Sequence, residues 1–190
     1  MIAGPGHNGG PALDGIGWRR HCWGRARSAL LPRLPVEVVR IRVKRAAEIG
    51  LDYRTYATVR ASTGRDIVAF LFSTNALRLF RADQALAVAR ADKLRAVRAC
   101  GRAALAIAPL APGTVLARVT AAHGPVLDAA HAAPRVHGTW RDAAQAIQAA
   151  RAGAPADGVL LIGDTAMERD WSMAGRLAGY LDAARFFPGE

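Results

Sequence analysis

Lysine is nearly missing from this chain: of its 26 basic residues, all but Lys44 and Lys93 are arginine. Cysteine is as sparse. Cys22 and Cys100 are too few for a disulfide framework and lack metal-ligand spacing, so they read as small reduced residues of a cytoplasmic protein. No stretch approaches the roughly 20 apolar residues a membrane span needs, so no transmembrane segment is expected. The opening MIAGPGHNGG holds no basic segment followed by an apolar run, and no secretory leader is expected either.

Carboxylates are scarce in one half only. Residues 1–102 hold 19 Lys and Arg against 7 Asp and Glu, whereas residues 103–190 hold 7 against 8, so the net +11 divides into +12 and −1. A field of that kind favours a polyanionic partner: nucleic acid, an anionic membrane surface or an acidic protein. The dominance of arginine beside so much alanine and glycine also fits a GC-rich coding bias. Its planar fork nevertheless suits bidentate phosphate contacts better than lysine does.

With 190 residues, about half of them apolar, the chain is long enough for one well-buried core. Residues 1–33 read as a basic-aromatic arm. Its first part is rich in Gly and Pro, and Trp18 and Trp23 then interleave with Arg19, Arg20, Arg25 and Arg27, a combination suited to stacking on bases or lying on a membrane surface. The glycines of the lead-in follow no strand and precede no GK[ST], which excludes a phosphate loop.

Residues 34–64 read as a basic helical pair. Pro35 fits the first turn of a helix running to about Ile49 with Gly50 as its stop. Asp52 can cap a second helix through about Ala61, ended by Ser62, Thr63 and Gly64. Ala46, Gly50 and Val59 sit where a helix-turn-helix places its small residue, turn glycine and core residue. The second helix would then offer Tyr53, Arg54, Thr55, Thr58 and Arg60 to phosphates and base edges. Arg45 and Tyr56 depart from the pattern, which puts small or aliphatic residues there.

Residues 65–190 alternate between short apolar runs and helical patterns. Ile67 to Phe72, Ala103 to Ala108, Val115 to Val119 and Val159 to Ile162 read as strands buried on both faces. Residues 82–98 read as a helix whose apolar stripe is interrupted by Arg90. Residues 120–138 carry no clear period. Thr139 caps a helix with Trp140, Ala143, Ala144, Ile147 and Ala150 on one face. A last helix starts after Thr165 and buries Trp171, Ala174, Leu177, Ala178 and Leu181. The fold class expected is α/β: a small, mostly parallel sheet of three to five strands flanked by helices and preceded by the basic helical segment.

In open α/β sheets ligands bind at the carboxyl ends of the strands. Ser73, Thr74 and Asn75 follow one expected strand, and Asp164, Glu168 and Asp170 follow another. This arrangement resembles two motifs of the haloacid-dehalogenase-type phosphohydrolases. The resemblance implies phosphate held by Ser73, Thr74 and Asn75, and Mg²⁺ held by Asp164 and Asp170. It covers about twenty residues and omits the family's nucleophile, because no DxD precedes Ser73 and Asp66 lies before its strand. The same residues also read structurally: Thr165-x-x-Glu168 is a capping box. The five histidines show neither HxxxH nor HExxH spacing, and no GxSxG occurs.

The reading these features favour is a non-enzymatic module without a cofactor, gripping nucleic acid or an acidic protein through Arg19, Arg20, Arg25, Arg27, Arg40, Lys44, Arg54 and Arg60. The alternative is the Mg²⁺-dependent phosphohydrolase-like protein.

Overall fold

The computed structural model describes residues 34–189, so the arm with Arg19, Arg20, Arg25 and Arg27 lies outside the described residues. The helical pair forms much as the caps dictate. Helix α1 (Val36–Glu48) ends before Gly50, whose φ of +72° suits a residue without a side chain. Helix α2 (Tyr53–Thr63) starts at Asp52, which accepts the Thr55 amide at 2.8 Å, and stops at a left-handed Gly64.

Five parallel strands follow: β1 (Ala69–Ser73), β2 (Gly101–Ala106), β3 (Ala129–Ala132), β4 (Val159–Gly163) and β5 (Gly179–Asp182). They lie in the order β3-β2-β1-β4-β5, with Ala69 opposite Gly101 on one side and Val159 on the other. The order reverses between β1 and β4, as in doubly wound sheets. The connecting helices are α3 (Val88–Ala96), α4 (Pro112–His123), α5 (Trp140–Ala150) and α6 (Ala166–Ala174), with a short α7 (Ala183–Phe186) after β5. Five strands and seven α-helices among the described residues make this an α/β fold.

Alternation along the strands divides the core in two. Phe70, Phe72, Ala104, Leu160, Ile162 and Leu181 face one layer, into which α2, α3, α4, α7 and the later part of α1 pack. Leu71, Leu105, Val159 and Leu161 face the other, covered by Ile147 and Ala150 of α5 and Trp171 of α6. Phe70, Phe72, Phe186 and Phe187 meet in edge-on and tilted pairs with centroids 4.9 to 6.1 Å apart. From Arg40 onward the described residues form one unit, and Ala46, Ile49, Leu51 and Tyr56 belong to the first of these cores. From Arg40 onward the helical pair is thus packed on the sheet.

Four expectations need correction. Val115 to Val119 is part of α4 and not a strand: Pro112 presets the first turn, and Val115 and Val119, four apart, bury the same face. The segment without a period holds β3, whose alanines carry little strand signal and are fixed by pairing with β2.

The last helix stops at Ala174, and residues 179–182 are β5. Its end is a Schellman-type turn in which the Leu177 amide donates to Ser172 O at 2.9 Å, with Arg176 left-handed at φ +51° where glycine would have announced the stop. Trp140, expected on the buried face of α5, is 58% exposed, because it stands at the first residue of the helix, two turns before the buried Ile147, where it lines an open cleft. Arg90 does interrupt the stripe of α3, yet it is buried: it donates to Ala76 O and stacks 4.5 Å from the Phe187 ring.

Candidate functional site

The reversal of strand order sets the carboxyl ends of β1 and β4 side by side, and the two predicted loops do meet there. Asn75 Nδ2 donates to Glu168 Oε1 at 3.0 Å, and Arg78 Nη1 donates to Asp164 Oδ2 at 2.6 Å. Every polar group at this junction already serves the fold. Ser73 Oγ accepts the Ala76 amide at 3.0 Å and Thr74 Oγ1 accepts the Ile107 amide at 3.2 Å, both hydroxyls being buried. Glu168, with no exposed surface, accepts the amides of Asp164 and Thr165 and completes the capping box with Thr165. The junction is also full: a Cβ on Gly163 would lie 2.6 Å from Tyr180 Cε2 and 2.8 Å from Glu168 Oε2.

Asp170 takes no part in this contact. It is exposed on α6 and lines a separate cleft with Trp140 and Trp171. Among the described residues no three His, Cys, Asp or Glu side chains gather closely enough to hold a metal ion. The donor set required by a phosphohydrolase therefore does not fit Mg²⁺ here, since Asp164 is committed to Arg78 and Asp170 faces elsewhere.

The helical pair separates its cations into two kinds. Arg45 is structural: Nε donates to Asp66 Oδ2 at 2.9 Å, and the guanidinium also reaches Ile67 O and Ala99 O at 3.0 Å. Tyr56 OH donates to the other oxygen of Asp66 at 2.8 Å. The two residues that departed from the helix-turn-helix pattern are thus the ones that fasten the pair to the start of β1. Burial and the Asp66 carboxylate raise the Tyr56 phenol above its usual range. Thr55 is buried as well, which leaves Arg54 and Thr58 exposed on α2, with Tyr53 and Arg60 half-buried.

Arg40 and Lys44 are exposed on α1, four residues apart and so on one helix face. Lys44, Arg54 and Arg60 make no ion pair with a described residue. Arginines nearer the sheet are neutralised by carboxylates from later in the chain: Arg65 by Asp157 at 2.6 Å, Arg78 by Asp164 at 2.6 Å and Arg102 by Asp128 at 2.8 Å.

A residue that sequence reasoning missed lies beyond the pair. Arg185 of α7 shares an open cavity of about 440 Å³ with Arg54, Thr58, Val59, Leu160 and Leu181. No periodicity or motif marks Arg185, which follows Asp182 by three residues in a four-residue helix.

Cys100 is half-buried, and that burial pushes its thiol up to about 12, which disfavours the thiolate. No helix among the described residues is long and apolar enough to cross a membrane. Comparisons with family models, with curated proteins and with solved structures found no match to this chain.

Proposed function

We propose that this chain is a non-enzymatic, cytoplasmic module that binds nucleic acid through its phosphates, using the outer surface of the helical pair. The observation that supports this reading is the contrast between its cations: Lys44, Arg54 and Arg60 make no ion pair with a described residue, whereas Arg65, Arg78 and Arg102 are matched one to one by Asp157, Asp164 and Asp128. Positive charge left exposed at the surface costs least when a polyanion neutralises it. Arg40 adds charge on the same face of α1, and Arg19, Arg20, Arg25 and Arg27 extend the basic sequence toward the N-terminus. The reading calls for phosphate contacts and few base-edge contacts. Arg54 and Thr58 are exposed, but Thr55 and Tyr56 of the supposed reading helix are buried.

The test is retention of labelled single- and double-stranded oligonucleotides by the full chain between 50 and 200 mM salt. Binding is expected to weaken with a log–log slope of roughly −0.7 to −0.9 per phosphate contacted. Replacing Lys44 and Arg60 together by Ala should weaken it and flatten that slope. Absence of retention at low salt, or retention indifferent to salt, overturns the reading. Capture of an acidic protein with no oligonucleotide binding moves the function to that partner.

A further inference from the structure

We infer that the cavity between α2 and the edge strand β5 is a site for a phosphomonoester carried on an apolar or planar body. This deepens the nucleic-acid reading and shares Arg54 with it, but it rests on a different observation. The cavity is lined by two guanidiniums, Arg54 and Arg185, and by no carboxylate. Its volume of about 440 Å³ lies in the range that holds a mononucleotide-sized ligand.

The elements supply the two ends of such a site. Arg54 stands in the first turn of α2, exposed and without an ion pair, so its whole fork is available to an oxyanion. Arg185 is held in place, since its Nη2 donates to Thr55 Oγ1 at 2.6 Å and lies 4.0 Å from Asp52 Oδ2. The Asp52 carboxylate is in turn engaged by the amide and hydroxyl of Thr55 at 2.8 and 2.6 Å. One guanidinium is thus preorganised, and the other is exposed and unpaired beside it. Thr58 contributes an acceptor, because its hydroxyl already donates to Arg54 O at 2.8 Å. Val59, Leu160 and Leu181 give the cavity an apolar floor. Two positive forks match a dianionic phosphate better than a monoanionic carboxylate, and the floor suits the body that carries it.

The phosphate can come from a free mononucleotide or from the phosphorylated end of a strand, and one set of titrations separates them. Full-length protein is titrated by NMR and calorimetry with AMP, with adenosine, and with one short oligonucleotide bearing either a 5′-phosphate or a 5′-hydroxyl. AMP should bind and shift the amides of Arg54, Thr58 and Leu181, adenosine should not, and Arg54→Ala should weaken AMP by about tenfold to a hundredfold. The Arg54 side chain supports no other residue in the fold, and its backbone bond to Thr58 survives in alanine, so that variant keeps the wild-type melting temperature. Arg185→Lys, which keeps the charge and loses the fork, should weaken AMP less. Tighter binding of the 5′-phosphorylated oligonucleotide assigns the site to strand ends, and equal binding of the two assigns it to the free ligand. Equal binding of AMP and adenosine, or no response to AMP, overturns the site. Salt-sensitive oligonucleotide binding that survives with AMP inert would leave the nucleic-acid reading standing and this one gone.

Discussion

Tyr56 and Asp66 hold the helical pair to the sheet: the phenol of α2 donates at 2.8 Å to a carboxylate just before β1 whose other oxygen takes Arg45. The bond is only partly exposed, and its two partners sit ten residues apart across the Gly64 turn.

Removing the phenolic oxygen alone should therefore cost about 1 kcal/mol, the net worth of one hydrogen bond. Tyr56→Phe is expected to lower Tm by about 2–4 °C in a scanning measurement, given the size of the domain. An unchanged Tm would show that the bond contributes nothing.

Neighbouring cations on α1 should behave in opposite ways. Arg45→Ala leaves Asp66 and two carbonyls without their donor and should destabilise by roughly 2–3 kcal/mol. Lys44→Ala, on the exposed face, should leave the denaturant midpoint alone and weaken oligonucleotide binding. If both variants lose stability equally, Lys44 has a structural role that its exposure conceals.

Gly163→Ala should destabilise by about 1–3 kcal/mol, because the added methyl would meet the Tyr180 ring and the Glu168 carboxylate at under 3 Å. Urea titration reads the loss directly. A neutral result would mean that the β4 end has more room than these contacts allow.

Stability should decline at both extremes of pH, for different groups. Burial, with Glu168 and Asp182 nearby, pushes the Tyr180 phenol up to about 12. A phenol raised in the folded state stabilises fully below its unfolded value near 10, and that contribution is lost as pH climbs toward 12. Tyr180→Phe should flatten this alkaline limb. The Thr55 hydroxyl and amide hold the Asp52 carboxyl below its usual range, so its contribution is present above 3.8 and is lost as pH falls further. Asp52→Ala should cost about 1 kcal/mol at neutral pH as a lost helix cap, and less in acid.

Magnesium chloride at millimolar concentration should leave Tm unchanged, since a ligand stabilises only the state that binds it. A rise that Asp164→Asn abolishes would restore the phosphohydrolase-like alternative.

What the sequence disclosed was local. Asp52, Gly64, Thr139 and Thr165 each announce a helix end through atoms within four residues, and each acts there as read. The strands hidden from view were those whose signal is not local. β3 is three alanines and His131 that only the β2 ladder holds extended, and β5 is concealed because Arg176 takes the turn that glycine usually marks. Arg45 and Tyr56 looked like faults in a motif until Asp66 supplied their shared partner. The cavity was beyond reading altogether, because Arg54 and Arg185 approach only once β5 has joined the sheet.

The central place of β1 has a consequence for biosynthesis. Its partner β2 leaves the ribosome soon after it, but the register of Ala69 with Val159 means that the other edge waits for 90 more residues to be translated. Through that interval the nascent chain carries an open backbone edge beside Leu71 and Phe72, the kind of surface that recruits foreign strands. Ribosomes stalled short of residue 159 would release polypeptides with this edge unsealed, fit for chaperone capture or inclusion bodies.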